Sequence, residues 1–172
     1  MSTDEDPHTI TVSVDGQVEE AVVAPRTLLV HWLRDALDKR GPKIGCDTGN
    51  CGACTVVWDG LLVKSCMVLA AQVDGGSVRT AASLCGSDGT LNRLQQCFSE
   101  HHALQCGYCT SGMLMTAEDL LDSGDELTEA AVRRGLKGNI CRCTGYHNIV
   151  KAIAAGAKAM GKGGGGTQQA AE

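Results

Sequence analysis

The placement of its cysteines constrains this chain more than any other feature. Ten thiols in 172 residues fall into two groups of four and two singles. Cys46, Cys51 and Cys54 sit in the stretch GCDTGNCGAC, with Cys66 downstream; Cys106 and Cys109 form a C-x2-C that is answered by the C-x-C of Cys141 and Cys143; Cys85 and Cys97 stand alone. The N-terminus MSTDEDPHTI is acidic and lacks the apolar run of a secretory leader. The expected location is therefore the cytoplasm, where thiols stay reduced and a cysteine-dense chain binds metal rather than forming disulfides. No stretch approaches the roughly 18 apolar residues of a membrane span. Any association with the inner face of a membrane would come through partner subunits.

The intervening sequence reads as two domains and a tail: residues 1–84, 85–160 and 161–172. Ile10, Val12 and Val14 alternate on one face, and Asp15-Gly16 leads into QVEEAVV, a two-residue hairpin signal. After Pro25, Leu28, Leu29, Trp32, Leu33, Ala36 and Leu37 recur at helical spacing, with Thr27 placed to cap. A second hairpin turns at Asp59-Gly60, and GSVRT suggests one more short strand. These elements describe a small α+β domain. From about residue 88 the period becomes 3.6, with stripes at Leu91, Leu94, Phe98, then Met113, Leu114, Ala117, Leu120, Leu121, then Ile149, Val150, Ile153, Ala157. A shorter helix is expected at 128–136, starting at Thr128, which completes a small helical bundle. The Gly-rich end reads as a flexible tail. Its G-x-G-x-x-G match lacks the strand and βαβ unit that a dinucleotide site needs.

Only one Phe, two Tyr and two Trp are present, so each core must be aliphatic, and a domain of half this length buries a modest one. Bound metal is expected to help hold it. The net charge of -5, with scattered basic residues and few aromatics, argues against nucleic-acid binding.

C-x4-C-x2-C is the spacing of plant-type 2Fe-2S ferredoxins. Hairpin counting supplies the fourth ligand: with Trp58 paired to Leu61, Cys66 falls opposite Ala53 and beside Cys54. Small residues between the ligands let the backbone wrap closely and aim N-H groups at sulfur. In the second set, Cys106 and Cys109 precede one helix and Cys141 and Cys143 another, so positive helix ends would face an anionic cluster. C-x-C is tighter than the usual zinc-finger pair, although four thiolates suit zinc as well as an iron-sulfur cluster. Cys85 and Cys97 read as packing residues. His31, His101, His102 and His147 read as surface or packing residues, since eight cysteines leave no vacancy for histidine ligands.

GCDTGNCGACTV with VKSC downstream, then LQCGYCTSGM and GNICRCTGYHNIVKAI, resemble the small iron-sulfur subunit of the molybdenum hydroxylases, the xanthine oxidase family, over about residues 9–160. Within it, APRTLLVHWLRD and NICRCTGYHNIVKAI look most similar to the small subunit of aerobic carbon monoxide dehydrogenase, although small subunits of aldehyde, nicotine and aromatic-heterocycle hydroxylases share these blocks. The resemblance implies a β-grasp ferredoxin domain followed by a four-helix bundle. It implies two 2Fe-2S clusters here, and a dimer of heterotrimers whose large subunit carries molybdopterin, in a cytosine dinucleotide form, and whose medium subunit carries FAD. Electrons would pass singly from molybdenum through the helical-domain cluster and the ferredoxin-type cluster to FAD, and the helical-domain cluster is expected to be buried. Gln105 and Cys143 would contact the pterin, and no catalytic residue is expected in this chain. Relatives commonly place Pro after C-x2-C-T where this chain has Ser111, a change expected to cost little.

Overall fold

The computed structural model describes residues 6–124 and 127–162; most of the Gly-rich tail lies outside them. β1 (His8–Val14) and β2 (Gln17–Val23) pair antiparallel in full register, from His8 opposite Val23 to Val14 opposite Gln17. Asp15 and Gly16 both take positive φ, 51° and 83°, as the tight turn between right-twisted strands requires. β3 (Thr55–Trp58) and β4 (Leu61–Lys64) form the second hairpin, turning at Asp59 and Gly60 with the same signs. β5 (Ser77–Arg79) joins the hairpins, running parallel to β1 and antiparallel to β3, so the sheet order is β2-β1-β5-β3-β4.

One face of this sheet buries Ile10, Val12, Val14, Val56 and Val78 against Leu29, Trp32 and Leu33. These last three come from α1 (Leu29–His31) and its π-helical continuation Trp32–Ala36. The helix does not start on Thr27 as expected. Leu28 bridges to Leu69 in extended conformation, and Leu29 N-H is taken by Val68 O rather than by a capping side chain. A backbone contact with the later chain replaces the local cap.

β3 shows its period of two. Val56 belongs to the core just described, whereas Val57 points the other way into the core of the helical half. That second core is built by four helices: α2 (Arg93–Glu100), α3 (Thr110–Asp122), α4 (Glu129–Gly135) and α5 (His147–Ala159). It buries Leu94 and Phe98, Met113, Leu114, Ala117 and Leu121, Val132, and Ile149, Val150, Ile153 and Ala157. Asn92 and Thr128 cap α2 and α4 by accepting from the N-H groups three residues on. Leu91 is the exception to its stripe: it precedes the cap and is 47% exposed. Cys97 is fully buried, as a packing cysteine should be, while half-buried Cys85 lies 3.2 Å from Gln95 Nε2.

The halves are bolted together where the cysteine loop of the first meets the start of α3. Arg79 of β5 pairs with Glu118 of α3 at 2.6 Å. Burial nevertheless holds the Glu118 carboxyl above its ordinary value, so desolvation outweighs the attraction of Arg79. Among the described residues no helix is long and apolar enough to cross a membrane.

Candidate metal centres

The structure brings the eight predicted ligands into two quartets. In the first, Cys46 and Cys51 interact directly, and Cys54 pairs with Cys66, with electrostatic coupling between the pairs. The hairpin delivers Cys66 as expected, with one refinement: the β ladder ends at Thr55 opposite Lys64. Cys66 then rides on a single 3-10 turn, Ser65–Met67, tied back by two bonds from Ser65 (N-H and Oγ) to Cys54 O. In the second quartet Cys109 pairs with Cys141, and Cys106 with Cys143 at 3.6 Å between sulfurs. Cys109 is the N-cap residue of α3, so the first turn of that helix opens on the site.

The surroundings differ between sulfurs. Cys46 accepts from the N-H groups of Thr48 at 3.5 Å and Cys51 at 3.3 Å. Hydrogen bonds from the Thr48 side chain and these N-H groups lower its thiol to about 6. Burial drives Cys66 up to about 11 and Cys109 up to about 12. Cys141 is pulled down despite its burial, because Thr144, whose hydroxyl lies 3.1 Å from its sulfur, and the Cys143 and Thr144 N-H groups stabilise a thiolate. Thiols that resist ionisation when bare are those for which a bound cation must supply the missing positive charge.

The donor sets fit iron-sulfur clusters. All eight are cysteine sulfurs, and each quartet is arranged as two pairs, the ligand pattern of a two-iron centre. The cradle is tight. A Cβ at Gly45 would stand 2.9 Å from Cys51 Sγ, and Gly52, at φ +72°, would drive one to within 2.3 Å of Gly138 O.

Between the quartets runs the segment 139–141. Ile140 N donates to Cys51 O at 2.8 Å, which joins the peptide next to Cys141 to a ligand of the first set by a single hydrogen bond. Buried Asn139 donates to Gly52 O at 3.2 Å and accepts from Thr116 at 3.0 Å. The phenol of Tyr146 accepts from Cys141 N and donates to Asn139 O. Two more bonds cross the junction: Tyr108 Oη to Ile44 O at 2.7 Å and Ser111 Oγ to Gly41 O at 2.6 Å. Sequence reading treated Ser111 only as a lost Pro; its hydroxyl in fact ties the two halves together. Asn139 was missed altogether, since a single buried amide carries no pattern.

This chain by itself covers the second quartet only in part. Cys106 and Cys143 are exposed on this chain, Cys109 is half-buried and only Cys141 is buried. The open edge lies beside Gln105, which donates to Cys143 O at 3.2 Å, and exposed Tyr108 and Ile140 line the same hollow. Loops that end in ligands cannot also supply a roof over them.

Residues 12–87 match the model of the 2Fe-2S iron-sulfur cluster binding domain and residues 80–154 that of the [2Fe-2S] binding domain. The chain is 49% identical to the nicotine 6-hydroxylase small subunit of Paenarthrobacter nicotinovorans, over 84% of this chain and 86% of that one. It is 47% identical to the caffeine dehydrogenase subunit gamma of a Pseudomonas species, over 85% and 89%. Quinoline 2-oxidoreductase from Pseudomonas putida superposes with a TM-score of 0.84 at 41% identity, covering 91% of this chain and 98% of that chain. Aldehyde oxidoreductase from Desulfovibrio gigas gives 0.82 at 34%, covering 91% of this chain but 18% of that much longer one. The first domain is therefore a β-grasp ferredoxin-like unit, and the chain belongs to the electron-transfer, iron-sulfur small subunits of the molybdenum hydroxylase family of oxidoreductases.

Proposed function

We propose that this chain relays single electrons between a molybdopterin-bearing large subunit and an FAD-bearing medium subunit, in an enzyme that hydroxylates an N-heterocyclic substrate. The ligands would be Cys46, Cys51, Cys54 and Cys66 for one cluster and Cys106, Cys109, Cys141 and Cys143 for the other, within domains 1–84 and 85–160, the latter read as the family's four-helix bundle. Two-iron clusters held there supply one-electron storage. The protein supplies everything else: the sulfur pairs, the N-H groups that face them, and the Ile140-to-Cys51 hydrogen bond that links the two sets. This bonded bridge is the observation that carries the relay reading.

Direction follows from exposure. The open edge at Cys106, Cys143 and Gln105 suits the molybdenum partner, with Gln105 and Cys143 against the pterin, in the cytosine dinucleotide form the family resemblance implied. The Cys46 loop would then face the FAD partner. Relatives named as small, beta and gamma subunits of such enzymes support separate partner chains, which would make this chain one member of a heterotrimer, doubled into a dimer of trimers.

The substrate class rests on relatives named for nicotine, caffeine and quinoline. The carbon monoxide expectation draws no support from these names. Purification with the native partners tests both levels. Brown protein with iron and sulfide, reduced by N-heterocycles and not by carbon monoxide, is the expected result; colourless protein with stoichiometric zinc would overturn the relay, and reduction by carbon monoxide alone would overturn the substrate class.

A further inference from the structure

Lys64 is a charge without an opposite number. It closes β4 directly opposite Thr55, and the register turns its side chain away from the first core toward the helical half. There it is half-buried, and an atom added at Gly138 would lie 3.5 Å from its Nζ, so the ammonium sits in the junction between the domains. Its hydrogen bond goes to Thr55 Oγ1 at 2.8 Å, a hydroxyl whose own proton is committed to Gly52 O at 2.7 Å. Among the described residues no carboxylate pairs with it, whereas Arg79, another half-buried cation that reaches the helical half, has Glu118. A half-buried ammonium held only by a neutral hydroxyl is costly unless a negative charge stands near. Chain connectivity shows which one: Thr55 follows Cys54, Lys64 lies two residues before Cys66, and Gly52 lies between Cys51 and Cys54.

We infer that Lys64 is the built-in counter-charge of the ferredoxin-type centre and sets its reduction potential above what its thiolates alone would give. The inference rests on the relay reading above. Reduction adds one negative charge to an already anionic four-thiolate centre, and a fixed cation in a partly desolvated junction stabilises the more negative state. Among the three ligands bracketing the hydroxyl and the ammonium, all belong to the first quartet, so the effect falls on that centre far more than on the helical one. The consequence is directional. Raising the acceptor end relative to the donor end makes transfer across the Ile140-to-Cys51 bridge more favourable, with no group gained or lost at the bridge. Lys64 is thus a positioning charge rather than a catalytic residue.

The test is a potentiometric titration of the purified holoenzyme followed by EPR, comparing Lys64→Gln, Lys64→Met and Lys64→Arg with wild type. Gln keeps a hydrogen-bond donor for Thr55 and removes only the charge; Arg restores it. In Lys64→Gln and Lys64→Met the ferredoxin-type signal should become harder to reduce by about tenfold in its reduction equilibrium, equal to about 59 mV for one electron. The helical signal should move by much less, and Lys64→Arg should titrate close to wild type. An unmoved ferredoxin-type midpoint in Lys64→Gln, with both signals at full intensity, would overturn the inference, as would equal movement of both. Failure of the relay reading looks different: wild type itself would then lack two iron-sulfur signals.

Discussion

Gly112→Ala should loosen the joint on which both centres depend. Gly112 lies in the first turn of α3, and a Cβ there would stand 2.0 Å from Gly52 O, an approach that backbone against backbone cannot absorb. The helix must retreat or the cysteine loop must turn. Gly52 O accepts from Thr55 Oγ1 at 2.7 Å, from Thr55 N at 3.2 Å and from Asn139 Nδ2 at 3.2 Å, so turning it endangers three hydrogen bonds. Overpacking of this kind costs about 1–3 kcal/mol. Each of the three bonds is worth about 1 kcal/mol, and with partial loss the total is about 3–5 kcal/mol. At about 2–4 °C per kcal/mol for a chain of this size, the melting temperature should fall by about 10 °C. Gly16→Ala is the contrast: its φ of +83°, unlike the helical φ of Gly112, strains any side chain, but no atom lies within 4 Å of the added carbon, so torsional strain of about 1 kcal/mol is all it adds. Thermal melts of the cluster-loaded proteins, followed at the iron-sulfur absorbance and by far-ultraviolet dichroism, compare the two. A Gly112→Ala protein that melts with wild type and outlasts Gly16→Ala would refute the steric reasoning.

Three further outcomes are expected. Cys54→Ser should abolish one EPR-visible cluster and leave the other, whereas loss of both in a folded protein would show that the ligands are wrongly grouped. In metal-free protein, iodoacetamide should modify Cys46 with half-maximal rate near pH 6, because a depressed thiol is mostly thiolate above that value, while Cys109, held near 12, should stay unreactive through pH 9; peptide mass spectrometry reads both. Gln105→Ala should slow cluster reduction by substrate several-fold and leave dithionite reduction unchanged, since only the former passes the open edge where Gln105 holds Cys143 O; equal rates with substrate would count against that placement.

Local chemistry explains what the sequence made legible. Asp-Gly pairs announce hairpin turns because few other residues accept positive φ, and counting from Asp59-Gly60 brought Cys66 back to Cys54, although a 3-10 turn rather than the ladder carries it over the last step. Thr128 caps α4 because a cap is a contact across three residues. Thr27 fails as a cap for the opposite reason: Leu28 and Leu29 are claimed by Leu69 and Val68, forty residues away in sequence and invisible to any local rule. Ser111 and Asn139 were unreadable for the same cause, each making its decisive contact across the domain junction.

The interlock around Gly52 also limits how such proteins can be recombined. The two domain models meet within residues 80–87, which looks like a natural splice point. A chimera cut there, however, would have to inherit matched glycines at 52 and 112, a serine at 111 facing the Gly41 carbonyl, and an asparagine at 139 facing Gly52. Exchange of either half with that of a relative should therefore succeed only when these positions travel as a set, so the unit of inheritance is the seam rather than the domain.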